Sequence, residues 1–547
     1  MIQTPDIIIT IGYVLAIVTI GLWGSRSGKK TVSSETYFLA GKTLRWPWIG
    51  LALFATNISC LHLVSLAQSG FDSGLLNGNF EWMAVLVLIL LAIFFVPFYI
   101  RSGVVTLPDF LEKRYNRACR DWLSLISILS AIVIHIAFSF LAGGIVLETL
   151  FGVNMYVSII LITVLTGLYT IIGGLKSVIV TESIQSIVLI AGAVIITFFA
   201  WNKAGGWDGM VHALEQTNST DKLSMVRPVG DPSGLSWLAV LVGYPVLGIW
   251  YWCADQTIVQ RVLGAKDENH AKAGALFCGF IKILPVFIFI LPGLFAYALY
   301  QNNLIDLSSL PRTVVNGEEV LNTKGIYTLM IIQLLPSGLV GILVAALLSG
   351  LMSQIAGALN AIATLSSYDL YKRVKPTATD KQLVNAGRWS AVIALAISLL
   401  LLPLINQYES LFTGINDIIA HIAPPITCIF LLGIFWKRAS AKAAQYTLWI
   451  GSALGVLAFA INKIHPDTFL GKIPFMMMTF YLFVICMILQ IVLSYVFPVQ
   501  HTEESKKLFW NSIWEPLQIK GWKGIGNYKV LTGILLLTMV VLYWCFR

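Results

Sequence analysis

The chain predicts an all-α membrane protein of 14 transmembrane helices, and three features of the sequence carry that prediction. Of its 547 residues 57% are hydrophobic, and only 12% are charged, against about 25% in an ordinary soluble domain. Apolar runs of about 20 residues, the length that crosses hydrocarbon, recur from end to end. They lie at roughly 5–25, 47–69, 79–100, 121–149, 155–173, 179–201, 236–258, 272–300, 337–367, 387–405, 409–436, 443–461, 475–497 and 530–546. The first run lacks a basic leader and is followed by Arg26, Lys29 and Lys30 rather than a small-residue cleavage site, so it is expected to stay as a helix.

Charge orders these crossings. With the N-terminus outside, the inner loops and span edges collect 27 of the 36 Lys and Arg, the outer segments 8, and Lys282 alone lies well inside a span. Cytoplasmic loops carry such an excess, which predicts both termini outside a plasma or inner membrane. The net charge of +9 then reflects topology and the anionic inner leaflet, and nucleic acid is not implied as a partner. Seven cysteines, an odd number without a CxxC pair, read as packing residues rather than a disulfide or zinc framework.

In chain order, residues 1–46 form a peripheral first helix and a cytoplasmic loop. The second span holds Thr56, Asn57, Ser59 and His62 in its middle. One Asn often bonds a neighbouring helix, but four polar groups so close together point to a cavity wall. Glu81, between Phe80 and Trp82 at the outer end of the third span, is either an interfacial carboxylate or an acceptor for polyol hydroxyls with an aromatic ring beside it. His135 is either a packing histidine or a site residue. A tight turn at Gly173-Gly174 precedes Glu182, one turn into the sixth span, where a carboxylate faces a loop cation or lines an ion's exit route. The polar segment 202–235 is expected to cover the outer mouth.

The seventh span contains Gly243, Pro245 and Gly248, then Tyr251, Trp252 and Asp255. Proline removes a backbone donor, so an unwound segment is expected near it, with Tyr251 and Trp252 just inside to stack on a ligand. Asp255 is expected to pair with Arg261. The polar second span and the broken seventh are five crossings apart, an odd number, so they run in opposite directions. That spacing suits two inverted five-helix repeats, 47–201 and 236–436, meeting at a midplane site.

Lys282 in the eighth span is expected to hydrogen-bond inside the protein. The ninth carries Ala346, Gly350, Ser353, Gly357 and Asn360 on one face, read either as close packing or as a cation site built on carbonyl and hydroxyl oxygens. The eleventh contains Asn416, Asp417 and His421. Residues 437–547 add three scaffold spans and loops. The absence of a P-loop, GxSxG or HExxH argues against an ATP-driven pump or a membrane hydrolase.

The strings YFLAGKTLRW, FATNIS with His62, FEW at Phe80–Trp82, LPDFLEKRY, GGLKSVIVTESIQ, YWCADQTIVQRVLGAK, SYDLYKR and APPITCIFLLGIFWKR resemble the sodium/solute symporter family, most closely its sodium/glucose cotransporter branch, in order along nearly the whole chain. The resemblance implies a sodium:sugar symporter working by alternating access, with Na+ as the co-transported ion and a hexose such as glucose or galactose as substrate. By the same likeness Asn57, His62, Glu81, Tyr251, Trp252, Lys282 and Asn416 line the sugar site, with Tyr251 as inner gate. The carbonyls of Ala55, Ile58 and Gly350 and the Ser353 hydroxyl hold sodium, and Glu182 lies on the ion's path. Two positions depart from the family pattern. Gln354 replaces a serine or threonine, and either its carbonyl ligates sodium or its bulk fills the site. Asn416 replaces a glutamine, one methylene shorter. An uncoupled facilitator or sugar sensor, and a sodium-coupled polyol or inositol transporter, are the alternatives.

Overall fold

The computed structural model describes residues 3–25, 33–315, 318–406 and 411–547. Among them, 12 helices are long and apolar enough to cross a membrane. A single antiparallel hairpin, Arg312–Val315 with Glu318–Leu321, is the only sheet among the described residues. Two of the 12 helical stretches each hold two expected spans, His62–Arg101 broken by the tight turn Gly74–Asn77 and Met155–Lys203 by a kink. Met155–Lys203 is interrupted only at Gly174 (φ 66°, ψ −169°). A Cβ there would stand 2.7 Å from the Tyr37 carbonyl, so both the left-handed backbone and the close approach require glycine.

Two helices are broken where the site forms. Trp46–Asn57 ends at Ile58 (φ −87°, ψ 112°), and a new helix, Cys60–Ser73, starts after Ser59. Ser59 and His62 close this second N-terminus reciprocally, the Ser59 N–H donating to His62 Nδ1 at 3.3 Å. The break therefore falls inside the polar stretch, where side chains satisfy the freed backbone.

The second break is displaced from its expected place. Helix Trp237–Ile249 runs through Pro245, widens over Trp250–Ala254 and ends at Asp255 (φ −84°, ψ 122°), where Gln256–Leu263 begins. Asp255 decides this position, because its carboxylate accepts the Thr257 N–H at 2.6 Å and caps the new helix. Proline alone costs one ladder bond, which a helix embedded among neighbours tolerates.

Helix Leu339–Leu365 runs through the core, with every residue buried except Leu339 and Ile342. Small residues set its contacts: a Cβ on Gly350 would meet the Cys60 nitrogen at 2.8 Å, and one on Gly357 the Thr56 methyl at 2.9 Å. Its N-terminus is held from the first helix, Thr4–Ser25. Asp6, 1% exposed, accepts the N–H groups of Gly338 at 2.7 Å and Gly341 at 2.8 Å. Farther along, Tyr13 bonds the Ser349 hydroxyl. The first helix, expected to be peripheral, is thus tied by a buried carboxylate to the central one. The last helix, Tyr528–Cys545, reaches inward as well, with Tyr543 donating to Asn79 at 3.1 Å and packing on Trp82.

Candidate functional site

Between the two breaks lies a cavity of about 100 Å³. One water takes about 10–15 Å³ on this measure, so the space suits several waters or one small polar molecule. Its wall includes Asn57, His62, Glu81, Tyr251, Trp252, Lys282 and Asn416, the seven residues expected at the sugar site, together with Phe80, His135, Tyr244 and Gln354. Of the two aromatics flanking Glu81, Phe80 faces the cavity. Trp82 is fully buried in the core instead, its indole N–H donating to the Ile283 carbonyl at 3.3 Å.

Lys282 organises this wall. Its ammonium donates to Asn57 Oδ1 at 2.6 Å and pairs with Glu81, with lysine and glutamate 1% and 3% exposed. The Asn57 amide in turn donates to the Tyr251 hydroxyl at 3.1 Å. A buried charge persists only when paired, and here four side chains from four helical segments satisfy one another around open space. The cluster offers what a polyol needs: a carboxylate to accept O–H, an ammonium and an amide to donate, and aromatic faces at Phe80, Tyr251 and Trp252 for ring C–H surfaces.

Directly beneath the first break, three of the expected ion-site groups meet. The Ser353 hydroxyl stands 2.9 Å from the Ala55 carbonyl and 3.1 Å from that of Gly350. Ile58 is the extended residue of the break itself, and Gly350 packs on the Ser59–Cys60 backbone. Neutral oxygens at such spacing suit a hard monovalent cation. Among the described residues no group of three or more His, Cys, Asp and Glu could hold a metal ion. Gln354, one residue on and therefore about 100° around the helix, turns elsewhere. Its Oε1 accepts from Ser139 at 2.9 Å, and its Nε2 lies 3.4 Å from His135 Nδ1.

The partners of the buried charged groups differ from the expected ones. Asp255 does not pair with Arg261 but with His135, Nε2 to Oδ2 at 2.9 Å. Arg261 turns to Glu182, with Nε 3.3 Å from Oε2 and a second, closer contact, both residues fully buried. Thr56 Oγ1 adds a bond to Glu182 Oε1 at 3.1 Å, one residue from the Ala55 carbonyl. Capping explains the exchange. Asp255 is fixed by the helix it starts, and Arg261, two turns on, leaves that end for the carboxylate of the neighbouring helix. The YWCADQTIVQR string contains both residues, but their partners come from spans 120 and 79 residues distant.

Comparison with known proteins fits these features. The model of the Sodium:solute symporter family matches residues 37–451. The chain belongs to this family. This symporter is 34% identical over 475 residues to sodium/glucose cotransporter 1 of Oryctolagus cuniculus, covering 83% of its own length and 72% of the relative. It is 34% identical over 499 residues to sodium/glucose cotransporter 2 of Rattus norvegicus (86% and 73%) and 32% over 489 to sodium/glucose cotransporter 4 of Danio rerio (86% and 74%). In fold it matches a Na+-coupled sialic acid symporter solved in a substrate-bound outward-open state (TM-score 0.77, 24% identity, 91% of this chain and 100% of that one). A nucleobase-cation-symport-1 family transporter in a closed conformation shares the architecture at lower similarity (TM-score 0.51, 14% identity, 87% and 98%). The symporter is a multi-pass membrane transporter, not an enzyme, and sodium is its co-transported ion.

Proposed function

We propose that this symporter couples inward sodium flow to uptake of a hexose across the cell membrane, with both termini outside. The observation that carries the reading is the Glu81–Lys282–Asn57–Tyr251 cluster around the cavity, seated one helix break from the Ala55, Gly350 and Ser353 oxygens. The named sodium/glucose cotransporters among its relatives support a sugar.

In this mechanism spans 2–6 and 7–11 form two inverted repeats that rock about the cavity. Sodium binds from outside to the Ala55, Ile58 and Gly350 carbonyls and the Ser353 hydroxyl, drawing the broken helix and helix Leu339–Leu365 together. That fixes Asn57, three residues or fewer from two of these carbonyls, and so favours the sugar-binding form. The sugar replaces part of the Lys282–Asn57–Tyr251 bonding with bonds of its own, Tyr251 yields as inner gate, and both ligands leave inward past Thr56 and Glu182. No chemistry is done on the sugar. In this reading Gln354, whose side chain bonds Ser139 and His135, is not one of the ion's ligands.

Purified protein in proteoliposomes tests this. An inward sodium gradient is expected to concentrate glucose or galactose above the outside level, more strongly than inositol. Equal uptake with and without the gradient would be the behaviour of a facilitator, and preference for inositol that of a polyol symporter.

A further inference from the structure

With His135 neutral, a chain of hydrogen bonds behind the cavity runs in one direction. Asp255 Oδ2 is a carboxylate oxygen and only accepts, so the His135 nitrogen 2.9 Å from it, Nε2, carries the proton. In the neutral ring Nδ1 is then an acceptor. Such an acceptor takes an N–H, so the Gln354 amide turns its Nε2 toward His135 Nδ1 at 3.4 Å and leaves Oε1 to accept from the Ser139 hydroxyl at 2.9 Å. The other Asp255 oxygen is held by the Thr257 N–H. Each member is thereby oriented by the next, from Ser139 to the helix break at Asp255, and all but the backbone donor are buried side chains.

An amide nitrogen carries two N–H groups, and His135 takes only one. Gln354 and His135 both line the cavity that holds Glu81, Lys282 and Asn57. We infer that Gln354 is a specificity-determining residue of the substrate site, its second N–H donating to one hydroxyl oxygen of the bound sugar while Ser139, His135 and Asp255 hold the amide in place. This rests on the sugar reading above and deepens it. The position next to Ser353 then serves the sugar, and the ion site uses the serine hydroxyl alone. A rigidly held donor discriminates better than a free one, because a ligand lacking its partner leaves a buried N–H unpaired.

The test is equilibrium binding of a parent hexose and its monodeoxy analogues to purified full-length protein at saturating sodium, with sodium affinity measured alongside, for wild type and Gln354→Met. Wild type is expected to bind one deoxy analogue about 3- to 10-fold more weakly than the parent through this contact. In Q354M the parent weakens by the same factor, that analogue binds both proteins alike, and sodium affinity is unchanged. Ser139→Ala, which frees the amide without altering its chemistry, is expected to blur the same hydroxyl preference and covers the case in which Q354M does not fold. An unaltered deoxy profile in both variants overturns the inference, as does a loss confined to sodium affinity, which would make Gln354 an ion ligand. Sodium-driven uptake by wild type separates the two levels. If sugar accumulates but the profile ignores Gln354, only the inference falls; if wild type binds no hexose, the sugar reading falls and takes the inference with it.

Discussion

Glu182 and Arg261 are both fully buried, and each is the reason the other can stay ionised there. Removing one partner of such a pair leaves an uncompensated charge and costs about 3–5 kcal/mol, whereas removing both is much milder. Arg261→Met is therefore expected to lower the thermal unfolding temperature in detergent markedly, and the double variant E182Q/R261M to recover much of the loss. Equal destabilisation by both would mean that the pair contributes little. The Lys282–Glu81 pair differs because it faces open space. Hydrogen bonds to charged groups contribute about 1.5–3 kcal/mol each, so Glu81→Gln is expected to weaken hexose binding by about tenfold or more while leaving sodium affinity near wild type, measured by titration of each ligand. At this scale the sequence was legible where a residue type is anomalous for its surroundings: a lysine, an asparagine and a glutamate in apolar runs identify themselves. It was silent on partners. Asp255 and Arg261 are six residues apart and opposite in charge, yet each pairs across the fold, because capping and interhelix packing outrank nearness along the chain.

Helices carry these residues into register through close backbone contacts. Gly350 lies against the Ser59–Cys60 peptide, and a Cβ would meet backbone atoms at 2.8 and 2.9 Å that no side-chain rotation relieves. Gly350→Ala is expected to push the ninth span's helix off the break and weaken sodium binding by about tenfold, roughly 1.4 kcal/mol, with a smaller effect on sugar bound without sodium. Undiminished sodium affinity would place the ion elsewhere. Asp6 acts from the far end of the same helix, and Asp6→Ala is expected to cost about 1 kcal/mol of stability, read as a lower unfolding temperature. Helix breaks were partly legible. The polar cluster at Thr56–His62 marks the first, but Pro245 drew attention to the wrong end of the second, since the break forms where a side chain can satisfy the new N-terminus and Asp255 does so.

Over the whole molecule, hydropathy pointed to each of the 12 described helices long and apolar enough to cross, and charge asymmetry suggested an orientation, because both follow from the bilayer acting as solvent. What hydropathy could not convey is that a first helix with an acid at its start caps a helix more than 300 residues away. Orientation has its own test in a native residue. Cys545 is exposed and the other six cysteines are buried, so a membrane-impermeant thiol reagent added outside intact cells is expected to label wild type and not Cys545→Ser. Labelling only after permeabilisation would invert the topology. The central claim is that two ligands share one helix break and so bind with reciprocal coupling. The direct measurement is hexose affinity with and without sodium, for wild type and Ser353→Ala. Sodium is expected to tighten hexose binding several-fold in wild type and to have no effect in S353A, whose sodium-free affinity matches wild type; hexose binding to wild type that is indifferent to sodium would contradict the account.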